Sequence, residues 1–199
     1  MKSVAGISGV VELNSITSRM IFDHNKGAHE FFVEEGWAHN WMYPYLEPYG
    51  LIMKINAEPI DKLSAVTVAR DRAFWRDHVQ RLQNAPGYAT TAQAQITFSK
   101  LRSAIAGLYV YRQMYVEAEE AFRQAIKLCP ASPEANYRLV DMYARQGRFG
   151  EAAAVLESYL PHVPAHQKDN AEAFLRQLQG KMQNNVPNDT ARKPVDPQQ

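Results

Sequence analysis

Apolar and polar positions follow two different periods along this chain. Val10, Leu13, Thr17, Met20, Ile21 and His24 fall at helical spacing, and Gly27 is a suitable stop. Phe31-Phe32-Val33 is a short strand-like run. Gly36 to Leu46 is aromatic and predicts a short helix ending near Pro44 or Pro48. Leu51 to Ile55 is a second strand-like run. Helix, strand, helix, strand makes residues 1–60 a small α/β segment. Two strands are marginal as a sheet on their own. The pattern therefore predicts a partner sheet, from another chain or from preceding sequence.

Residues 61–98 predict connecting helices. Ser64 is an N-cap for a helix over Ala65–Leu82, whose Val68, Trp75, Val79 and Leu82 share one stripe. Asn84-Ala85-Pro86-Gly87 predicts a turn, and a long helix starts near Thr91.

From there the sequence repeats itself. Shifting Ser99–Ser132 by 34 residues lays it on Pro133–His166. Tyr109 then falls on Tyr143, Tyr115 on Phe149, Glu117-Ala118 on Glu151-Ala152, Phe122 on Leu156 and Pro130 on Pro164. The small alanine lets two helices approach, and the large residue four later fills the gap between them. The proline ends the second helix, having no N–H to donate. Gly147 suits a left-handed helix stop, whereas the first copy has Gln113-Met114 there and departs from the glycine pattern. This period and this Tyr, Ala, Phe/Leu, Pro spacing resemble the tetratricopeptide repeat. The resemblance implies two helical hairpins, with Asp169–Met182 (Ala173, Phe174, Leu175, Leu178) as a capping helix. Residues 99–183 are thus expected to be two repeats plus a cap. The polar, proline-rich 184–199 is expected to be a disordered tail. The fold class expected is mainly α: a small N-terminal α/β segment followed by a helical-hairpin array.

The segments IFDHN (21–25), FFVEE (31–35), WMYPYLEP (41–48) and GLIMKI (50–55) resemble the region after the membrane spans of bacterial protein O-mannosyltransferase-like proteins. Those are polytopic proteins with a glycosyltransferase-C type core and a repeat-containing tail. The resemblance implies an extramembrane C-terminal part, on the extracytoplasmic face of a bacterial membrane if joined to such a core. That core would be one partner. Its catalytic acidic residues belong to a loop not in this sequence, so none transfers here.

Composition narrows the chemistry. Of 199 residues, 46% are hydrophobic and 22% charged, which is globular. Net charge is +1, so nothing favours nucleic acid. The one cysteine excludes an internal disulfide framework. No stretch reads as a transmembrane span. The Val4–Val11 run is short and broken by Gly6, Ser8 and Gly9, too weak for a secretory leader. No nucleotide-binding, zinc or nucleophile motif is present, so neither a cofactor nor a metal is expected. Glu34, Glu35 and His39 could form an acid/base cluster, but polar residues at a strand end are the plainer reading.

Two surfaces remain. Trp37, Trp41, Tyr43, Tyr45 and Tyr49 form an aromatic patch suited to packing or docking, with sugar stacking or membrane-interface seating as alternatives. In the repeat pattern the first helices supply a peptide groove. It maps onto Ser103, Gly107, Val110, Tyr111, Tyr137, Asp141, Ala144 and Arg145, with Leu175 and Gln179 extending it. A protein or peptide partner is expected there, and purely structural packing is the alternative. The function expected is a noncatalytic interaction module. Either it is the extramembrane part of a glycosyltransferase-like membrane protein, or it is a free-standing adaptor binding peptide segments.

Overall fold

The computed structural model describes residues 6–184. The expected tail beyond Asn184 lies outside them. The protein is mainly α, with a small N-terminal α/β segment followed by helical hairpins and a terminal helix. It divides into two compact units, the first ending at Ala135 and the second starting at Asn136.

In the first unit, α1 (Ile7–Asn25) precedes β1 (Phe31–Val33), and the Lys26 N–H closes its last turn on the Phe22 carbonyl (2.8 Å). The helix predicted over 36–46 is instead two 3-10 segments, Glu35–Trp37 and Asn40–Tyr45. Ala38 and His39 between them are extended, and Pro44 has no N–H for an α-helical bond. A strand that the sequence pattern hides follows as β2 (Leu46–Tyr49) and turns into β3 (Ile52–Ile55). Gly50, at φ +64°, takes the first position of that two-residue hairpin turn, where positive φ favours glycine.

The sheet order is β1-β3-β2, antiparallel throughout. The third strand thus comes from this chain, where the sequence pattern predicted a partner sheet. Pro48 masked it, because proline cannot donate to a ladder, yet β2 is an edge strand where proline is tolerated. In this register Phe31, Val33, Leu46, Pro48, Met53 and Ile55 share one face. Val33, Leu46, Met53 and Ile55 are core residues. Phe32, Glu47, Tyr49 and Lys54 share the other.

The helix α2 (Ala65–Asn84) starts as expected, with Ser64 Oγ accepting from the Thr67 N–H (3.0 Å). Its buried residues are Thr67, Val68, Trp75 and Val79, but also Asp71, while Leu82 of the predicted stripe is only half-buried. Gly87 (φ +81°) makes the turn into α3 (Ala92–Tyr111), which pairs with α4 (Tyr115–Leu128). Asp71 is buried against two α3 side chains: Arg102 Nη1 donates to its Oδ2 (2.9 Å) and Tyr109 Oη does the same (2.8 Å). Arg102 also donates through Nε to Gln124 of α4 (2.8 Å), and its guanidinium lies 5.1 Å from the Trp75 ring. A buried pair is tolerable only with such additional partners. Burial, then Asp71, pushes the Tyr109 phenol well above its ordinary pKa, so it remains a donor.

The second unit holds the rest of α5 (Pro133–Arg145), then α6 (Phe149–Tyr159) and α7 (Ala165–Asn184). Tyr137 and Tyr159 meet edge to face at 5.5 Å. In α7, Ala171 and Leu178 are buried, while Ala173 of the predicted apolar set is exposed.

The two hairpins match at the marker positions of the 34-residue shift, although α6 ends at Tyr159, three residues short of the shifted end of α4. Tyr115 and Phe149 each open the second helix. Tyr109 and Tyr143, Ala118 and Ala152, and Phe122 and Leu156 are all buried. The turns match too. Gly147 sits at φ +72° and Gln113 at φ +58°, and Met114 and Arg148 donate to Tyr109 and Tyr143 at 2.9 Å each. The first turn therefore keeps the left-handed geometry without the glycine.

Candidate interaction site

The five aromatic residues expected to form one patch divide among three tasks. Trp41 and Tyr45 hold the C-terminal half of α1. Their rings lie 5.3 and 5.4 Å from that of the buried Phe22. Arg19 sits over both, at 5.0 and 5.1 Å, and the Trp41 Nε1–H donates to Ser18 Oγ (3.3 Å). Tyr49 faces Phe32 across the outer side of the sheet (5.1 Å). Tyr43 faces Tyr111 of α3 (5.2 Å). Trp37 is exposed.

Between these elements runs an open groove of about 520 Å³, walled by Thr17 and Ile21 of α1, by Phe31, Phe32 and Val33 of β1, and by Trp37, His39 and Trp41. Its lining is mostly apolar, which suits side chains of a partner better than a charged ligand. Of the supposed acid/base cluster only His39 lines it. No hydrogen bond or ion pair joins Glu34, Glu35 and His39 among the described residues. Among those residues no group of three or more His, Cys, Asp or Glu is placed to hold a metal. Burial pushes the Cys129 thiol above its ordinary pKa, the opposite of what a reactive thiolate requires.

The expected peptide-groove residues are also placed unequally. In the first unit Ser103 is fully buried, so it packs the helices and meets no incoming chain. Gly107 and Val110 are half-buried, and Tyr111 is exposed beside Tyr43. The two predicted surfaces thus meet at one aromatic pair. In the second unit Asp141 and Arg145 are exposed and bonded to each other (2.7 Å), and Tyr137 and Ala144 are half-buried. Of the two α7 residues, Gln179 is exposed and donates to Glu157 (3.0 Å), while Leu175 is half-buried.

The residue that builds the site, and that sequence reasoning missed, is Arg112 at the end of α3. Its Nη1 donates to the Ile60 carbonyl (2.6 Å), and its Nη2 faces the carbonyls of Leu46 (2.9 Å), Pro44 (3.2 Å) and Tyr43 (3.3 Å). One guanidinium fork therefore ties the aromatic segment to the repeat helix. Burial pulls its pKa below the ordinary guanidinium value, but arginine stays charged at any pH where the protein folds. The available signal was position: an arginine immediately before a left-handed turn can turn back onto neighbouring carbonyls.

Comparison with known proteins agrees with part of this picture. No curated protein and no solved structure gave a match, so the membrane-protein resemblance of residues 21–55 stands on those residues alone. The family model for the tetratricopeptide repeat matches residues 104–171, which begin within α3 and end within α7. Such repeats generally mediate protein–protein interaction. The matched turns and buried positions are thus similar to those of the tetratricopeptide repeat, over about a third of this chain behind the α/β segment.

Proposed function

We propose that this chain is a noncatalytic interaction module, the extramembrane C-terminal part of a glycosyltransferase-like membrane protein, in which the repeats hold a polypeptide for the membrane core. The repeat match over residues 104–171 is the observation that carries the interaction role. The membrane context rests on the resemblance of residues 21–55. Among the described residues no helix is long and apolar enough to cross a membrane, so the core would be separate sequence. Arg112 supports the reading physically. It couples the aromatic segment to a repeat helix, so a partner met by one is positioned by the other.

The contacts proposed are Tyr111 with Tyr43 in the first unit, and Tyr137, Asp141 and Arg145 in the second. The deciding experiment is an immunoblot of fractionated native cells with an antibody to the repeats. A membrane-bound band much larger than this chain is expected. A soluble band of the chain's own length would overturn the membrane context and leave the alternative, a free-standing adaptor binding peptides. Panning a peptide library on the purified chain then tests the contacts: Tyr111→Ala should weaken recovered binders about tenfold, the cost of losing one aromatic anchor.

A further inference from the structure

The described part of α1 carries a face that no other described residue of the first unit covers. Val10, Leu13, Thr17 and Met20 follow a 3-4-3 spacing, flanked by Ile16 and Ile21. The five apolar members are 52–65% exposed. The helix is held near its other end, by Phe22 and Arg19. The charged residues Glu12, Arg19 and Asp23 line the flank beside Ile16, where Arg19 and Asp23 bond each other (2.7 Å). The apolar face continues past Thr17 and Ile21 into the groove, whose far wall presents Phe32 and Trp37, 40% and 59% exposed.

From this we infer that two copies of the chain associate through α1, each laying its seam along the seam of the other and over the mouth of the adjoining groove. Three observations select a second copy. First, the 3-4-3 spacing is the repeat by which identical helices interlock side chains, and it is self-complementary. Second, the area suffices. A buried side chain of this size removes about 60–120 Å² from water, so five supply about 450 Å² per copy and a pair about 900 Å². Phe32 and Trp37 bring the total to about 1,000 Å² or more, the lower bound for a specific interface. Third, the charges disfavour a bilayer. Surface-seated helices carry a lysine- and arginine-rich polar face, whereas this one has a single arginine against two acids. The inference is independent of the repeats and of any membrane core.

The test is sedimentation equilibrium of the full chain from about 1 to about 100 µM, the range expected for an interface of minimal size. The mass should rise toward twice that of the chain. The double variant Leu13→Glu, Met20→Glu should weaken association more than tenfold with an unchanged far-UV spectrum, since both side chains are exposed. Val66→Glu, at a still more exposed apolar position on α2, should associate like the parent. A parent chain that stays monomeric at the highest concentration would overturn the inference, as would a double variant that still doubles its mass. So would a parent chain that floats with neutral phosphatidylcholine vesicles while monomeric in solution, because the face would then belong to a bilayer.

Discussion

Replacing Arg112 with alanine should free the aromatic segment from α3 while leaving the repeat helices folded. The backbone cap of α3 survives, because it uses the Arg112 N–H, which donates to Leu108 (3.2 Å) and Tyr109 (3.1 Å) carbonyls. What is lost is the fork. Two of its contacts are short, to Ile60 (2.6 Å) and Leu46 (2.9 Å), and the longer ones share the same Nη2. A hydrogen bond from a charged donor contributes about 1.5–3 kcal/mol net, so two contribute about 3–6. Removing the half-buried guanidinium also recovers its desolvation cost, and its Nε has no partner among the described residues, which places the loss near the lower end, about 3 kcal/mol. At about 1.4 kcal/mol per factor of ten, local opening becomes roughly 100-fold more frequent.

Two amides report this directly: Asn56 N–H, bonded to the Tyr45 carbonyl, and Ile60 N–H, bonded to the Pro44 carbonyl, both at 2.9 Å. Their hydrogen exchange, read by NMR, should accelerate about 100-fold relative to amides in α4. Arg112→Lys should recover less than half, because an ammonium lacks the planar fork that reaches both carbonyl sets. An acceleration below about tenfold at both amides, or full recovery by lysine, would refute the reasoning.

Four further predictions concern the two turns and the buried ion pair. Gln113→Gly should stabilise the protein by about 0.5–1 kcal/mol, since a non-glycine residue at φ +58° costs about 1–2 and glycine's extra entropy takes back about 0.5–1. Gly147→Ala should destabilise by a similar amount, purely through conformation, because an added Cβ meets nothing within 4 Å; urea unfolding checks both. Asp71→Ala strands the buried Arg102 guanidinium and the Tyr109 hydroxyl together, so a loss of about 3–5 kcal/mol is expected in the same assay. The double variant Asp71→Ala, Arg102→Met should regain part of it, because no buried charge is then left unpaired.

The sequence by itself determined the elements whose signal is local and periodic. The 34-residue repeat, the Ser64 cap, most of the α2 stripe, the alanine positions and the stop before Pro130 are read within one or two turns of chain, where side-chain spacing and backbone chemistry decide the outcome; α6 instead ends at Tyr159, and Pro164 stands just before α7. Glycine's positive φ at the second turn was equally legible. The first turn was not, because Gln113 takes the left-handed geometry without the glycine that would announce it.

Tertiary structure decided what depends on partners far apart in sequence. Strand β2 exists because β3 accepts it at an edge where Pro48 does no harm. The aromatic cluster divided because Phe22 claimed two rings and Tyr111 and Phe32 one each. Ser103, which repeat spacing placed in a groove, became core. A charge on an apolar stripe, such as Asp71 between Val68 and Trp75, announces a buried partner, but only packing names Arg102 as that partner. Arg112 shows the same limit most plainly: its carbonyl acceptors lie 52 to 69 residues back along the chain, and backbone carbonyls carry no sequence signal at all.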